Sequence, residues 1–289
     1  MRKKKKTDAL DLLILLIMLL VIAVMLYPFL LIVASSLSDP VLVMQNKVHI
    51  IPKGITLQNY KMIFQKSDIW TSYFNTILYT VVGTLIGLVL TVLTAYPLSR
   101  SKFTGKNKFS MLIAFTMIFT GGIVPNFMVV RTLNWIDTIW AVTVPGCMSA
   151  YYLIVTRTFF ESIPSSLEES AKIDGANDFQ ILGKIILPLS GPIVATLTLF
   201  YAVTYWNSFF GPLIYLNSKS KYPLQIMLRS MLIEGNMADF AGQVDTGNLM
   251  VATSIKYTCI VVTSLPIICV YPFLQKYFVK GVMVGAVKG

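Results

Sequence analysis

The chain contains 289 residues, of which 55% are hydrophobic and only 13% are charged. An ordinary soluble domain has about a quarter of its residues charged, and a mean hydropathy of +0.71 requires more buried surface than one aqueous core of this size provides. The composition therefore excludes an ordinary soluble enzyme and favours a protein that lies in lipid.

The formal net charge of +11 is compatible with a nucleic-acid partner, a membrane surface or topology signals. Nucleic-acid-binding proteins cluster their cations on one face, whereas this chain places short charged blocks between long uncharged runs. We therefore interpret the charge as an orientation signal and expect no nucleic-acid partner.

Six segments without Asp, Glu, Lys or Arg are long enough to cross about 30 Å of hydrocarbon as helices. They are Leu12–Ala34, Tyr73–Pro97, Phe109–Val130, Thr138–Thr156, Ile185–Leu216 and Tyr257–Gln275. Prolines 188, 192 and 212 indicate that the ends of the fifth segment are caps and connectors rather than parts of one straight span. The sequence predicts an all-α polytopic membrane protein with six transmembrane helices.

The distribution of cations predicts the orientation. A cytoplasmic N-terminus places fifteen Lys and Arg inside and nine outside, as the positive-inside rule requires. We expect residues 1–11 to be a basic cytoplasmic N-terminus, residues 12–289 to be a single membrane domain, and both termini to be cytoplasmic. Within that domain, residues 215–256 form an outer connector and residues 276–289 a cytoplasmic tail.

The sequence shows no catalytic centre and no metal site. Its single histidine, His49, lies in a polar connector, and Cys147, Cys259 and Cys269 lie in apolar runs without paired spacing. The predicted spans also lack the ionisable groups that proton-coupled carriers need. We therefore predict that the protein is not an enzyme, and that any transport it performs takes its energy from a partner on the cytoplasmic side.

The connector 157–188, between the fourth and fifth predicted spans, has the sequence of a helical hairpin. Ser165 with Glu168, or Ser166 with Glu169, has the spacing of a capping box that begins a helix.

That first helix is predicted to end near Asp174, where Gly175 can adopt the positive φ common after a helix. Asn177 or Asp178 can then cap a second helix that runs through Ile186.

Pro188 is predicted to prevent smooth continuation into the next span. The hairpin carries apolar residues that a partner protein should cover, namely Leu167, Ala171, Phe179, Ile181, Leu182 and Ile185. The alternative is an amphipathic segment that lies on the inner leaflet.

The spacing of this segment resembles the EAA motif of ABC importer permeases. The matching residues are Glu169, Ser170, Ala171, Gly175, Ile185, Leu187 and Pro188. Ser170 stands where the family usually has alanine. The likeness extends to the carbohydrate branch, through the sequences at residues 50–60, 133–138 and 206–216, and the tail 276–289 is similar to that of permeases for aldouronate-type oligosaccharides.

This resemblance implies the permease subunit of an ATP-driven oligosaccharide importer in the bacterial cell (inner) membrane. The implied partners are a second permease in a heterodimer, a cytoplasmic ABC ATPase dimer, an extracytoplasmic sugar-binding protein and membrane lipid. The chain itself would hold no cofactor, because ATP and Mg belong to the ATPase. The ATPase-coupling residues it implies are Glu168, Glu169, Ser170, Ala171, Asp174, Gly175, Ile185, Leu187 and Pro188.

Trp206, Asn207 and Ser208 are the candidates for the substrate path, because an aromatic ring beside polar groups suits a sugar. The alternative is that they form interhelical hydrogen bonds.

The outer connector is expected to contact the binding protein, with residues 227–240 as its helical element; the alternative is a solvated loop. Two further functions stay open from the residues alone: a self-sufficient facilitator or secondary carrier, and a receptor or scaffold.

Overall fold

All regular structure is helical in the residues described by the computed structural model, which are 9–100, 103–233, 254–269 and 272. This confirms the all-α prediction. The chain divides into two compact units, residues 1–69 with 227–265 and residues 70–226 with 266–289.

The first unit is dominated by α1, an apolar helix of 28 residues. Nearly all its side chains between Leu10 and Leu30 are exposed in this chain, as a helix that faces lipid or another protein requires. Its C-terminal end packs through Ala34 against Val43 and Val48. The helices of this unit are α1 (Ala9–Ser36), α2 (Pro40–Met44), α3 (Gln58–Phe64), most of α14 (Leu224–Ile233) and most of α15 (Ser254–Cys269).

The second unit contains most of the remaining helices and, among the described residues, the largest apolar core. Its helices are α4 (Ser67–Ser99, which begins three residues before the unit), α5 (Lys106–Ile118), α6 (Ile123–Thr132), α7 (Ile139–Thr143), α8 (Ala150–Glu161), α9 (Ser165–Ile173), α10 (Asp178–Ile181), α11 (Leu187–Leu189), α12 (Gly191–Trp206), α13 (Phe210–Tyr215) and the start of α14 (Leu224–Ile233). A π-helical turn, Leu182–Ile186, makes α10 and α11 continuous.

In the part of the chain that the structure describes, α1 and α4 are long and apolar enough to cross a membrane. Two sharply bent helix pairs raise that number to four if each pair is one span, and α15 is a shorter apolar helix. The sixth predicted span continues beyond the described residues. The count of six spans stays a prediction.

The third predicted span, Phe109–Val130, is not one straight helix. It divides into α5 and α6, whose axes differ by 113°. Gly122 adopts φ +79° at the break, which favours glycine, and Pro125 in the first turn of α6 has no N–H to continue the hydrogen bonds of α5. The predicted span is therefore not one continuous helix, because these local breakers outweigh the continuous hydropathy, and the bent pair remains long and apolar enough to be one span.

The fourth predicted span, Thr138–Thr156, is also divided, into α7 and α8. Pro145 and Gly146, with φ +71° at the glycine, interrupt the helix between them. The fifth segment is divided as its prolines indicate, and α12 is its longest helix.

Two glycines of α4 allow close contact with two tyrosines of α12. A Cβ on Gly87 would lie 2.5 Å from the carbonyl oxygen of Cys147 and 3.0 Å from the Tyr201 ring, and a Cβ on Gly83 would collide with the Tyr205 ring. Glycine is therefore required at these positions by packing.

The hydroxyls of the same tyrosines support the divided fourth span. Tyr201 Oη and Thr91 Oγ1 are 2.6 Å apart, and Tyr201 also accepts a hydrogen bond from the Ser149 N–H. Tyr205 donates to the carbonyl of Thr143 at 2.7 Å. Backbone groups released by the break are thus satisfied inside the protein, as a low-dielectric environment demands.

The α4–α12 contact predicts the effect of Gly87→Ala. The added methyl group should lower the free energy of unfolding by about 1–3 kcal/mol, because it overpacks a rigid backbone contact. Thermal unfolding in detergent measures the change. The matched control is Gly191→Ala, whose Cβ would meet no atom within 4 Å; equal unfolding midpoints for the two variants would contradict the contact.

Candidate functional site

The first helix of the hairpin, α9, ends as predicted. Asp174 is its C-cap, and Gly175 follows with φ +80°. The N–H of Gly175 donates to the Lys172 carbonyl at 3.1 Å, and the N–H of Ala176 donates to the Ala171 carbonyl at 2.9 Å. These two hydrogen bonds form a Schellman motif, which reverses the chain without leaving the last carbonyls unpaired.

The second helix begins at a capping box formed by Asn177 and Gln180. The Gln180 N–H donates to Asn177 Oδ1 at 2.9 Å, and the Asn177 N–H donates to Gln180 Oε1 at 3.0 Å. The prediction that Asn177 or Asp178 caps this helix is therefore confirmed for Asn177.

The capping box predicted for the first helix was wrong. Pro164 is the N-cap residue and no side chain caps the helix, so Ser165 and Ser166 lie in its first turn. Glu168 instead forms an ion pair with Arg100, because a guanidinium is a stronger partner for a carboxylate than a backbone N–H.

Pro188 does not separate the hairpin from the next span. The helical path continues through it to Leu189, and the 85° bend follows at Ser190. In the π-helical turn before the proline, the Leu187 N–H donates to the Leu182 carbonyl, five residues back. The wider turn gives the proline ring room that an α-helical turn would not.

One face of the hairpin is part of the main core of the second unit. Ala171, Ile181, Leu182 and Ile186 are buried in a cluster with residues of α4, α8 and α12. This corrects the expectation that a partner covers all the apolar residues of the hairpin, because Ala171, Ile181 and Leu182 are covered by this chain.

The opposite face is exposed and apolar. Ile173 is 87% exposed and Phe179 is 79% exposed, and Leu167 is also exposed. Large apolar side chains at such exposure mark a surface for a partner. We call Leu167, Ile173 and Phe179 the outer face of the hairpin.

The other predicted coupling residues divide between the two faces. Ile185 and Leu187 pack against the core while half-buried, and Glu169, Ser170, Asp174, Gly175 and Pro188 are exposed. Ser170 donates from Oγ to the Ser166 carbonyl at 2.9 Å. Among the residues that the structure describes, the Glu169 carboxylate has no ion-pair partner, so it is free to contact another protein.

Ion pairs that the sequence analysis missed connect the helix ends around the hairpin. Glu161 Oε1 accepts from Lys106 Nζ at 2.7 Å and from Arg157 Nε at 3.0 Å. Burial alone would raise the pKa of Glu161, but these two hydrogen bonds outweigh it and lower the pKa. Arg157 also donates to Ser110 at 2.5 Å. The start of α5 is therefore held against the end of α8.

A groove of about 800 Å³ separates the hairpin from the end of α4. Its walls carry charges of both signs, including Arg100, Lys106, Glu169 and Lys172, beside the Phe179 ring. The sequence does carry a signal for the burial of Glu168. It precedes Ala171 by one helical turn and therefore shares the buried face of α9.

The candidate substrate-path residues lie where α12 ends. Asn207 is exposed and its amide is used locally, since Nδ2 donates to the Val203 carbonyl at 2.9 Å and Oδ1 accepts from Gln225 at 3.4 Å. Trp206 and Ser208 are half-buried. This geometry gives Asn207 a helix-capping role.

The connector predicted to lie outside is anchored at its start by Asp137. The Asp137 carboxylate accepts hydrogen bonds from Lys221 Nζ at 2.7 Å and from Ser218 Oγ at 2.6 Å. These bonds hold the pKa of Asp137 well below its usual range.

The helix predicted at residues 227–240 begins earlier, at Leu224, and is described to Ile233. The rest of that prediction and the tail 276–289 lie outside the described residues.

Comparison with known proteins identifies the family. Residues 1–284 match the family described as "Binding-protein-dependent transport system inner membrane component". The chain belongs to this family. The resemblance to ABC importer permeases is therefore confirmed, and the permease is a polytopic membrane protein.

Its relatives are permeases of sugar transport systems. The chain is 42% identical to the polygalacturonan/rhamnogalacturonan transport system permease protein YtcP of Bacillus subtilis, over 91% of this chain and 92% of that protein. It is 28% identical to the arabinooligosaccharides transport system permease protein AraQ of Halalkalibacterium halodurans, over 99% and 100% of the two chains. The permease is thus a membrane subunit of an ABC transporter for sugars.

A solved structure has the same fold. It is the crystal structure of a bacterial ABC transporter involved in the import of the acidic polysaccharide alginate, with a TM-score of 0.86, 33% identity, and coverage of 95% of this chain and 98% of that chain.

The geometry at Gly175 predicts opposite results for two substitutions. Gly175→Val should strain the turn by about 1–2 kcal/mol, because a β-branched residue resists positive φ, whereas Gly175→Asn should be tolerated. No atom lies within 4 Å of an added Cβ, so the difference reports backbone conformation alone.

Hydrogen exchange of the hairpin amides should be roughly five- to thirtyfold faster in Gly175→Val, and sugar uptake in vesicles should fall while membrane insertion stays normal. Equal exchange and equal uptake in the two variants would show that the turn is not strained.

Proposed function

We propose that the hairpin receives the motion of a cytoplasmic ATPase and passes it to the membrane helices during sugar import. The observation that supports this most is the division of its faces. One face is buried in the core with α4, α8 and α12, and the outer face presents exposed apolar side chains beside the free carboxylate of Glu169. Such an element can bind a partner and remain mechanically connected to the helices behind it.

The charges near the outer face argue against a segment that lies on the inner leaflet. Glu169 and Asp174 are exposed there, and neither has an ion-pair partner among the described residues. An anionic membrane surface repels such carboxylates. A cleft in a protein partner with complementary charge suits the same surface.

The coupling residues have distinct roles in this proposal. Glu169 and Asp174 are polar contacts at the docking surface, and Glu168 and Ser170 support the helix that presents them. Ala171 allows close approach of the helix to the core, and Gly175 makes the turn. Ile185, Leu187 and Pro188 connect the hairpin to α12.

The assembly proposed is a heterodimer with a second permease, bound to an ATPase dimer that holds ATP and Mg, and served by an extracytoplasmic sugar-binding protein that the outer connector contacts. Both termini are cytoplasmic in this arrangement. The family description, a binding-protein-dependent system, supports the binding protein in this assembly.

Trp206, Asn207 and Ser208 remain candidates for the substrate path. We propose acidic oligosaccharides as the substrate class. The support is the higher identity to the polygalacturonan/rhamnogalacturonan permease than to the arabinooligosaccharide permease, together with the alginate importer.

Photo-cross-linking tests the docking surface. Benzoylphenylalanine in place of Phe179 should cross-link to an ATPase that co-purifies with the permease, since Phe179 is 79% exposed. The control position is Phe74, which is 65% exposed near the other end of α4 and should not reach the ATPase. Cross-links to lipid alone, or sugar uptake by the purified permease without any ATPase, would favour the inner-leaflet or facilitator alternatives.

Uptake by the whole transporter in vesicles tests the substrate class. Oligogalacturonates should be imported in preference to neutral arabino-oligosaccharides of equal length. When both sugars are offered to the binding protein, the sugar that is imported faster should also displace the other. A preference for the neutral sugar would exclude the acidic class while leaving the coupling proposal intact.

A further inference from the structure

Glu168 is a buried acid on the inner face of the hairpin. Its residue is 7% exposed, whereas the neighbouring Glu169 is exposed. Glu168 Oε1 lies 2.7 Å from Nη2 of Arg100, and the exposed fractions of the two side chains are 10% and 18%. An ion pair at this burial is screened by water far less than a surface pair.

Arg100 follows directly on Ser99, the last residue of α4, and is fixed there from two sides. Its guanidinium carbon lies 5.1 Å from the ring centroid of Tyr96, one turn earlier in α4. Tyr96 is buried in the core that also contains Ala171 of α9. The guanidinium therefore lies between an aromatic face and a carboxylate, an arrangement that lysine reproduces only in part.

The two arms of the hairpin are attached to the rest of the unit very differently. The second arm carries the buried residues Ile181, Leu182 and Ile186 and continues through the chain to α12. In the first arm, α9, Ala171 is the only apolar residue buried in the described structure. Helix α9 does not follow α4 directly in the chain, since α5 to α8 lie between them.

We propose that Arg100 is a positioning residue, which holds Glu168 against the end of α4 and so makes α4 move with the hairpin. This inference rests on the proposed coupling function. With the pair intact, a displacement of the hairpin reaches α12 through the chain and α4 through the ion pair. Without it, the first arm can move away from α4, and α4 follows the hairpin only through the apolar core that the two share.

The experiment uses the complete transporter reconstituted in vesicles, with sugar uptake and ATP hydrolysis measured in the same sample. The variants are Arg100→Gln, Glu168→Gln and the double variant. Sugar taken up per ATP should fall by roughly tenfold or more in each single variant, because it leaves a buried charge unpaired. The double variant should assemble normally and still import less sugar per ATP than the unmodified transporter, by roughly tenfold, because the connection between α9 and α4 is lost.

Arg100→Lys should recover part of the lost coupling, since it keeps the charge without the planar group. The matched control is Lys106→Gln, which makes the same change from a cation to an amide at the partly exposed Lys106–Glu161 pair. This control should change uptake per ATP by less than about twofold, because Glu161 keeps its pair with Arg157 and partly exposed pairs contribute little.

Two results would overturn the inference: a double variant with normal uptake per ATP, or a double variant that fails to assemble, which would make the pair a requirement of folding only.

The benzoylphenylalanine cross-link at position 179 separates failure of this inference from failure of the proposed function. If the cross-link to the ATPase persists in the variants while coupling falls, the positioning role is supported. If the unmodified transporter gives no such cross-link, the coupling proposal itself fails.

Discussion

Burial of the hairpin's inner face in the core of α4, α8 and α12 is the constraint on which the rest of the second unit depends. Ile181 and Ile186 are fully buried in that core, and each contributes about 1.5–3 kcal/mol relative to exposure. A hairpin that moved by itself would lose this burial. We therefore expect the hairpin and the helices behind it to move together. This is needed if the motion of a partner ATPase is to reach the membrane helices.

The breaks in the apolar segments serve the same arrangement. Helix α12 leaves the hairpin through the 85° bend at Ser190, and the π-helical turn before Pro188 makes the path to that bend continuous. The hydroxyls of Tyr201 and Tyr205 reach backbone groups on both sides of the break between α7 and α8. Interruptions of this kind are tolerated at membrane depth only where protein groups satisfy the backbone.

Predictions about the hairpin succeeded where the signal is local. Gly175 and Asn177 act within the few residues that surround them, so the turn and the second cap follow from spacing. The capping box at Ser165 and Glu168 failed because its carboxylate has a stronger partner in Arg100, which is distant in the chain. The apolar residues were identified correctly, but a pattern cannot say whether this chain or another protein covers them.

The sequence by itself determined the helical class, the family, the hairpin and its turn, because hydropathy, composition and capping are properties of short segments. Tertiary structure alone decided the pairing of Arg100 with Glu168 and which face of the hairpin stays exposed. The physical reason is that ion pairs and packing between α4, the hairpin and α12 join residues that only the folded chain brings within contact distance.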